Sequence, residues 1–323
     1  MAMTIGDLRE VVRAPDAEGS PPRGPARGAA RARAYLALTK PRIIRLLLIT
    51  TVPAMCLAAR GLPSLWLVLW TLVGGAAAAG SANTLNCVID ADIDKVMNRT
   101  KDRPLATGAL TRREALVFGL GLGALSFAVL WWTSNLLAAS LAVAAILFYV
   151  LVYTLVLKRR TSQNIVWGGA AGCMPVVIGW AAVTGTVDWP AWVMFAVIFV
   201  WTPAHFWALA MRYREDYAAA NVPMLPVVAP PKVVARRTAA YTWLTVVVSL
   251  LLFPVTSWVY VAVAGVVGAW FVVRAHGLRN AVARGEAGEP MAVFHASIAY
   301  LAAVFVGIAV DALVGLTPIG WPL

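Results

Sequence analysis

Residues 65–104 read LWLVLWTLVGGAAAAGSANTLNCVIDADIDKVMNRTKDRP, an apolar run that ends in acidic and then basic residues. The run over residues 65–88 carries no charge, and about 20 apolar residues suffice for a helix to cross a bilayer. We therefore predict a membrane-spanning helix with a chemically active polar end.

The whole chain shares this apolar character. Of its 323 residues, 61% are hydrophobic and 13% are charged, whereas ordinary globular chains are about 45–50% apolar and about 25% charged. This balance excludes a disordered chain, a small disulfide-linked protein and most soluble enzymes. The predicted fold class is all-α, a polytopic membrane bundle.

Nine apolar runs predict nine transmembrane helices. They cover residues 43–61, 65–88, 115–133, 136–157, 165–185, 190–211, 239–256, 257–274 and 293–315. A single helix over residues 239–274 would be about 54 Å long, against a hydrocarbon core of about 30 Å. Two spans hinged near Pro254–Trp258 are therefore predicted, and a single helix there would reduce the count to eight.

The basic residues indicate the orientation. All 27 Lys and Arg residues except Arg60 fall on one side of the nine predicted spans, a bias typical of cytoplasmic loops. We predict a multi-pass protein of the inner cell membrane, with its N-terminus and active-site face in the cytoplasm. The net charge of +12 then reflects topology and indicates no nucleic-acid partner.

Two features bound the domain organisation. Residues 1–35 are rich in Arg, Pro, Gly and Ala without a signal-peptide core, which predicts a disordered cytoplasmic extension before a membrane domain over residues 36–323. The three cysteines have no CxxC spacing, so neither a disulfide framework nor a cysteine metal site is predicted.

Three oxygen-bearing side chains end the 65–88 span. Asn86, Asp90 and Asp94 recur at i, i+4 and i+8, which places them on one helix face, with Asp92 pointing away. Carboxylates at the end of an apolar helix are costly unless they are paired or bind a cation, and oxygen ligands suit Mg²⁺. The alternative is a solvated helix end whose acids pair with neighbouring Lys and Arg.

Basic side chains follow these acids and predict a diphosphate site. Arg99, Lys101 and Arg103 are suited to binding phosphate oxygens. Lys158, which follows the fourth span, is predicted to reach the same diphosphate, whereas the two arginines after it are interpreted as topology anchors.

A second polar cluster ends the sixth span. His205, Arg212 and Asp216 share one stripe if the helix continues that far, and Asp216 with Glu215 is a candidate for a second Mg²⁺. The alternative is that His205 is an ordinary core residue.

These motifs resemble the protohaem IX farnesyltransferases (haem O synthases) of the UbiA-type intramembrane prenyltransferase superfamily. The resemblance covers about residues 36–310 and is carried by Leu38-Thr-Lys40-Pro41-Arg42, Asn86-x3-Asp90-x-Asp92-x-Asp94-x2-Met97-x-Arg99-Thr100-x2-Arg103-Pro104, Leu157-Lys158-Arg159-Arg160-Thr161, Trp201-Thr-Pro-x-His205-Phe206-Trp207 and Asp216-Tyr217-x2-Ala220-x2-Pro223.

The resemblance implies a nine-helix UbiA-like fold that joins a farnesyl group and water to a vinyl group of haem b, giving haem O and diphosphate. The implied cofactor is Mg²⁺, and the implied partners are farnesyl diphosphate, haem b and the lipid bilayer. Self-association and contact with a downstream haem A synthase stay open, as does the role of His205 as iron ligand or hydrogen-bonding group.

The resemblance and the residue patterns together predict the site. The predicted catalytic residues are Asp90, Asp94 and Lys158; the substrate-binding residues are Asn86, Arg99, Lys101, Arg103, His205 and Arg212; the metal ligands are Asn86, Asp90, Asp94 and Asp216. Two alternatives remain, a prenyltransferase for a quinone-precursor aromatic acceptor and a secondary membrane transporter.

Two departures from the superfamily pattern bear on this site. Ala220 stands where a second acid often follows four residues after Asp216, which weakens the second Mg²⁺ site. The spacing Tyr153-x4-Lys158 is one residue longer than the superfamily's Tyr-x3-Lys, which argues against a role for this tyrosine.

Overall fold

The computed structural model describes residues 26–315 and 317–320, with the backbone alone at residues 26, 27, 42, 43 and 45–48. Every regular element in this described part is a helix. The elements are α1 (Ala26–Thr39), α2 (Pro41–Ala59), α3 (Leu65–Ile89), α4 (Ala91–Val96), α5 (Arg112–Thr133), α6 (Leu136–Leu147), a π-helical segment (Phe148–Leu157), α7 (Asn164–Thr184), α8 (Trp189–Arg212), α9 (Arg214–Ala219), α10 (Leu225–Val228), α11 (Pro231–Leu250), a 3-10 turn (Phe253–Val255), α12 (Trp258–Ala283) and α13 (Pro290–Val314).

The membrane spans agree with the predicted bundle. Within the described residues, eight helices are long and apolar enough to cross a membrane, and α2 adds a shorter apolar stretch over Ile49–Ala59. The long apolar block divides as predicted, because α11 ends at Leu250, Pro254 lies in the 3-10 turn and α12 begins at Trp258. The predicted all-α bundle is confirmed. The predicted nine spans correspond to these eight helices together with α2.

The outer surface of the bundle is apolar. Trp132 is 91% exposed, Trp258 72% and Val266 71%, and large apolar side chains exposed to this extent mark a surface that water does not cover. Together with the apolar helices, this surface identifies an integral membrane protein.

The helices form a closed ring in sequence order. Each of α3, α5, α6, α7, α8, α11, α12 and α13 packs against the next, and α2 contacts both α13 and α3. Further contacts of α2 with α7 and of α8 with α13 lie within this ring, so helices distant in sequence face a common interior.

Small residues hold α3 tightly against α5. Ser126 donates a hydrogen bond to the carbonyl oxygen of Gly74 at 2.8 Å, and Ser81 donates to that of Gly119 at 2.7 Å. Close helix pairs of this kind are typical of membrane bundles, where Gly and Ser let backbones approach. This packing fixes α3, whose final residues carry the predicted site.

The first helix corrects the predicted extension. Residues 26–35 belong to α1, where Tyr35 packs edge-on against Phe118 at 4.9 Å between ring centroids and Arg31 pairs with Glu114. Leu38 near its end is fully buried. Disorder up to residue 35 is therefore wrong for residues 26–35, because these contacts anchor the helix, and residues 1–25 lie outside the described residues.

Candidate active site

The predicted stack of oxygen ligands forms at the junction of α3 and α4. Asp90 separates the two helices with φ −89° and ψ 10°, yet the N–H groups of Asp90 and Asp94 still bond to the carbonyls of Asn86 and Asp90, each at 2.9 Å. The helical register therefore continues through the junction. Asn86, Asp90 and Asp94 are all buried, with 3%, 0% and 2% exposure.

Asp90 is the centre of a buried polar network. One carboxylate oxygen, Oδ2, accepts hydrogen bonds from Asn86 Nδ2 at 2.6 Å and from the Lys158 ammonium. The other oxygen, Oδ1, lies 3.8 Å from the Arg159 guanidinium and, among the described residues, accepts no hydrogen bond. A buried carboxylate oxygen that accepts no hydrogen bond can bind a cation, because its lone pairs are not engaged.

The neighbours of Asn86 determine how its amide is oriented. Its Nδ2 also faces Thr154 Oγ1 at 3.2 Å, and that hydroxyl donates to the carbonyl oxygen of Tyr149 at 2.8 Å. Its Oδ1 accepts from Lys40 Nζ at 2.8 Å. The Asn86 amide therefore has a single consistent orientation, with its NH₂ group toward the acceptors and its oxygen toward the Lys40 ammonium.

Lys40 and Thr154 are site residues that the sequence analysis missed. Both contact Asn86 from positions far away along the chain, Lys40 from between α1 and α2 and Thr154 from the π-helical segment. The signal for Lys40 was its place in the Lys40-Pro41 motif at the start of the first span. For Thr154, the signal in the sequence was its hydroxyl group, four residues before Lys158.

Asp94 forms the second ion pair of the site. Both of its carboxylate oxygens accept from Arg103 Nη1, each at 2.8 Å. Burial of the guanidinium has the largest single effect and lowers the pKa of Arg103, but the charge and hydrogen bonds of Asp94, together with other nearby groups, raise the pKa overall. Arg103 is thereby held beside the acids, a pairing that the alternative interpretation of this helix end also predicts.

Asp92 points away from the stack, as predicted. It is exposed and accepts two hydrogen bonds from Arg159, at 2.8 and 2.7 Å. Partial burial has the largest single effect and opposes the ionisation of Asp92, but the hydrogen bonds and charge of Arg159, together with backbone hydrogen bonds, lower its pKa overall. Arg159 therefore joins the α4 region to the loop before α7, beyond its predicted role as a topology anchor.

The π-helical segment explains the stretched tyrosine–lysine spacing. In it, the N–H of Lys158 bonds to the carbonyl of Tyr153 at 2.8 Å, five residues back. A π-turn absorbs one more residue than an α-turn, so Tyr153 still lies one turn before Lys158. Tyr153 lines the central cavity, so the longer spacing does not remove this side chain from the site.

The predicted stripe from His205 to Asp216 does not form. The helix α8 ends at Arg212, Tyr213 has φ −108° and ψ 28°, and a separate helix begins at Arg214. The stripe requires one continuous helix from His205 to Asp216, and the break at Tyr213 interrupts it. Arg212, the last residue of α8, has an exposed side chain.

Asp216 instead faces the loop after α4. It accepts hydrogen bonds from Asn98 Nδ2 and from the backbone N–H of Arg99, each at 3.2 Å. The Arg99 guanidinium donates to the Tyr217 hydroxyl at 3.3 Å, and Lys101, which is exposed, donates to Asn98 at 3.4 Å. The two predicted polar regions therefore meet at this loop.

The carboxylates do not share one metal-sized site. Across residues 26–315 and 317–320, no three Asp, Glu, His or Cys side chains are grouped closely enough to hold one ion. Asp216 thus does not complete a single cage with Asp90 and Asp94, because Asn98 and Arg99 hold it on its own side of the loop.

His205 is enclosed by aromatic rings. Trp201 stacks on one face at 4.2 Å and Phe294 stacks at 4.5 Å between ring centroids. Ser297 donates to the Phe294 carbonyl at 2.6 Å, so its oxygen must accept the 2.7 Å hydrogen bond from His205 Nδ1. This assignment places the ring proton on Nδ1 and leaves Nε2 with a lone pair.

An apolar cavity of about 240 Å³ lies inside the ring. Its wall combines small residues of α3 and α7 with larger rings, including Tyr149, Tyr153, Trp201 and Phe206. Tyr149 and Tyr153 belong to the same π-helical segment as Thr154, which contacts Asn86. The cavity and the buried charges are therefore parts of one site.

A comparison with known families identifies this arrangement. The profile of the UbiA prenyltransferase family matches residues 47–298, which includes the acid stack, the π-helical segment and His205. The chain belongs to the UbiA prenyltransferase family. Its buried acids and apolar cavity are thus those of a UbiA-family member.

Relatives of this UbiA-family chain share most of its length. It is 67% identical over 295 residues to protoheme IX farnesyltransferase 1 of Saccharopolyspora erythraea, covering 91% of this chain and 94% of the relative. It is 60% identical to protoheme IX farnesyltransferase of Nocardia farcinica, covering 92% and 95% of the two chains.

Solved UbiA-type structures share the fold. A digeranylgeranylglyceryl phosphate synthase structure superposes with a TM-score of 0.72 at 17% identity, covering 88% of this chain and 99% of the other. A UbiA homologue from Archaeoglobus fulgidus bound to DMAPP and Mg²⁺ superposes with a TM-score of 0.59 at 18% identity, covering 85% and 99%.

Proposed function

We propose that this protein is a protohaem IX farnesyltransferase, which uses farnesyl diphosphate, haem b and water to form haem O and diphosphate. The observation that carries this proposal is the 58–67% identity to proteins of that name over about nine-tenths of the chain. The site supports it, because buried charges adjoin an apolar cavity, as a prenyl diphosphate requires.

The residues present fit a magnesium ion. Asn86, Asp90 and Asp94 each carry a side-chain oxygen on one helical face, and the buried Oδ1 of Asp90 accepts no hydrogen bond from a described residue. The Asn86 oxygen accepts from Lys40 and the Asp94 oxygens accept from Arg103, so a bound ion would replace these contacts. Magnesium bound to these three residues would neutralise the diphosphate and help it to leave. Asp216 is proposed as a ligand of a separate ion on the facing side. Mg²⁺ accompanies a prenyl diphosphate in the Archaeoglobus fulgidus homologue.

Basic side chains are proposed to bind the diphosphate. Arg103 and Lys158 are already placed beside the acid stack, and Arg99 and Lys101 follow in the same loop. The Arg103 and Lys158 side chains are only 25% and 15% exposed, so they should stabilise developing negative charge more strongly than they would in solution. Arg212 is proposed as an outer contact only.

The cavity is proposed to hold the farnesyl chain. Tyr and Trp faces in its wall can stabilise an allylic cation, and the predominantly apolar lining excludes water. His205 is proposed to contact the haem through Nε2, because its ring faces and Nδ1 are already occupied. Iron ligation and hydrogen-bond acceptance both use this lone pair.

The membrane orientation follows from the charge pattern. We propose that residues 36–323 form the prenyltransferase domain in the inner cell membrane, with the acid stack on the cytoplasmic side. The exposed basic residues Lys101, Arg212 and Arg214 lie at that end of the bundle. Self-association and contact with a haem A synthase stay predictions.

The decisive experiment is reconstitution. Purified protein incubated with farnesyl diphosphate, haem b and Mg²⁺ is expected to yield haem O by mass spectrometry. Asp90→Ala and Asp94→Ala should abolish the product while the protein still inserts, and Asp102→Ala, an exposed acid in the same region, serves as the matched control. Full activity of both site variants would refute the metal assignment.

The same assay separates the alternatives. A prenylated product from 4-hydroxybenzoate, with none from haem b, would favour the quinone-precursor reaction. A secondary transporter would give no prenylated product with either acceptor.

A further inference from the structure

A second cavity lies at the end of the bundle opposite the acid stack. The helix α2 begins next to Lys40, which contacts Asn86, and it ends at Arg60, so Arg60 marks the opposite end. The cavity there, the far cavity, has a volume of about 640 Å³, and small-molecule sites typically have about 300–1,000 Å³. It shares no lining residue with the apolar cavity inside the ring.

The far cavity collects the charged residues of its end of the bundle. Arg60 follows α2, Asp188 precedes α8 and Asp311 lies near the end of α13, and all three line the cavity. Among the described residues, every other charged residue lies toward the end that carries the acid stack. Charges from three distant positions along the chain therefore meet in one place.

Asp311 is a buried carboxylate without a cation beside it. It is 4% exposed, and it accepts hydrogen bonds from the backbone N–H of Ser257 at 3.1 Å and from the Ser257 hydroxyl. Both donors are neutral, and none of the ion pairs formed among the described residues includes Asp311. Because a buried charge is costly unless it is paired, this carboxylate favours a positively charged ligand.

Asp188 and Arg60 add one charge of each sign to the far cavity. The Oδ2 atom of Asp188 accepts from the Trp180 indole N–H at 3.1 Å and from the Thr186 hydroxyl at 2.9 Å, which hold the carboxylate in place. Arg60 has an exposed side chain. Two carboxylates disfavour a simple anion, and the guanidinium disfavours a metal cation. The far cavity therefore matches a ligand that carries both signs of charge.

Indole rings place the far cavity at the depth of the lipid headgroups. Trp189 lines it and is 39% exposed, and Trp258, at the start of α12, is 72% exposed at the same end. Tryptophan is enriched where membrane proteins meet the headgroup region. Zwitterionic phospholipids occupy this depth. A primary ammonium offers three hydrogen-bond donors to carboxylates, and a phosphate group accepts paired hydrogen bonds from arginine.

We propose that the far cavity binds the headgroup of phosphatidylethanolamine. Asp188 and Asp311 bind its ammonium group, and Arg60 binds its phosphate. The occupant supplies the cation that the buried Asp311 carboxylate lacks, and its acyl chains extend along the apolar surface of the bundle.

The test measures lipid binding to the purified full-length protein by native mass spectrometry. The wild type is expected to bind dioleoyl phosphatidylethanolamine about tenfold or more tightly than dioleoyl phosphatidylglycerol, which lacks the ammonium, because a hydrogen bond to a charged group has about this effect. Asp311→Asn still accepts from Ser257 and should lose the preference. Asp102→Asn, an exposed acid at the other end of the bundle, is the matched control and should keep it.

Arg60 and Asp188 provide further variants. Arg60→Gln should weaken the binding of both lipids by similar factors, because both carry the phosphate, and Arg279→Gln, an exposed arginine outside the far cavity, should change neither. If Asp311→Asn does not fold, Asp188→Asn takes its place with the same expected loss of preference.

Three results would overturn the proposal. One is an unchanged lipid preference in a folded Asp311→Asn or Asp188→Asn variant. Another is calorimetric binding of Ca²⁺ that these substitutions remove, without a lipid preference in the wild type, which would indicate a metal site. The third is free phosphoethanolamine binding as tightly as the lipid, which would indicate a soluble ligand. The measurements need neither farnesyl diphosphate nor haem b, so they do not depend on the proposed function.

Discussion

At the scale of single residues, the site is organised around charges that membrane burial makes costly. Asp90 is completely buried and pairs with Lys158, a side chain with 15% exposure. A buried pair contributes little net stability, but removal of one partner leaves the other charge uncompensated. Loss of either Asp90 or Lys158 is therefore expected to destabilise the protein more than loss of both.

The Asp90–Lys158 pair can be tested with a double-mutant cycle. Lys158→Met and Asp90→Asn are each expected to lower the free energy of unfolding by about 3 kcal/mol, and the double variant by less than their sum. Unfolding is measured by SDS titration of reconstituted protein. Additive effects would show that the two groups do not depend on each other.

His205 gives a second prediction at this scale. His205→Ala should raise the KM for haem b about tenfold or more while leaving the KM for farnesyl diphosphate unchanged, because Nε2 is its free ring atom. Ser297→Ala removes the acceptor of the Nδ1 proton and should have the same effect, but smaller. Equal changes in both KM values would instead indicate a core role for His205.

At the scale of elements, the π-helical segment adapts one helix to the site. Its wider turn places Tyr153 in the cavity wall, Thr154 against Asn86 and Lys158 against Asp90. The Tyr153 ring fits only because Gly168 on α7 has no side chain, since a Cβ there would lie 2.1 Å from Tyr153 Cδ2. The position that the π-turn gives to the Tyr153 ring therefore requires glycine at position 168.

Substitution of Gly168 tests this fit. Gly168→Ala should displace the Tyr153 ring, lowering the free energy of unfolding by about 1–3 kcal/mol and reducing activity. Gly121→Ala, on α5 with open space around its added Cβ, should be neutral or stabilising by up to about 1 kcal/mol. Thermal unfolding in detergent compares the two, and equal unfolding temperatures would contradict the predicted clash.

At the scale of the whole molecule, the ring of helices joins an apolar interior to polar ends. The contact between α2 and α13 closes the ring, while exposed rings such as Trp132 and Trp258 face outward. Substrates of mixed character, with a charged head and an apolar body, match this division.

The proposed orientation is testable by cysteine labelling. The native Cys56, Cys87 and Cys173 are buried, so an impermeant maleimide should react with introduced cysteines alone. Arg60→Cys is expected to be labelled from outside intact cells, and Lys232→Cys only after the membrane is permeabilised. The reverse pattern would place the acid stack on the outer face.

The sequence by itself determined the bundle, its break near Pro254 and the stack of Asn86, Asp90 and Asp94. These features depend on hydropathy and helical period, which act between near neighbours along the chain. They can be predicted without knowing how the helices pack against one another.

Only the tertiary structure decided which groups meet at the site. Lys40 and Asn86 are separated by 46 residues, Lys158 and Asp90 by 68, and His205 and Ser297 by 92. The break at Tyr213, which moves Asp216 away from the His205 stripe, likewise carries no strong local signal. Such pairings depend on how whole helices pack, because a side chain's partner across a bundle is set by the geometry of the ring.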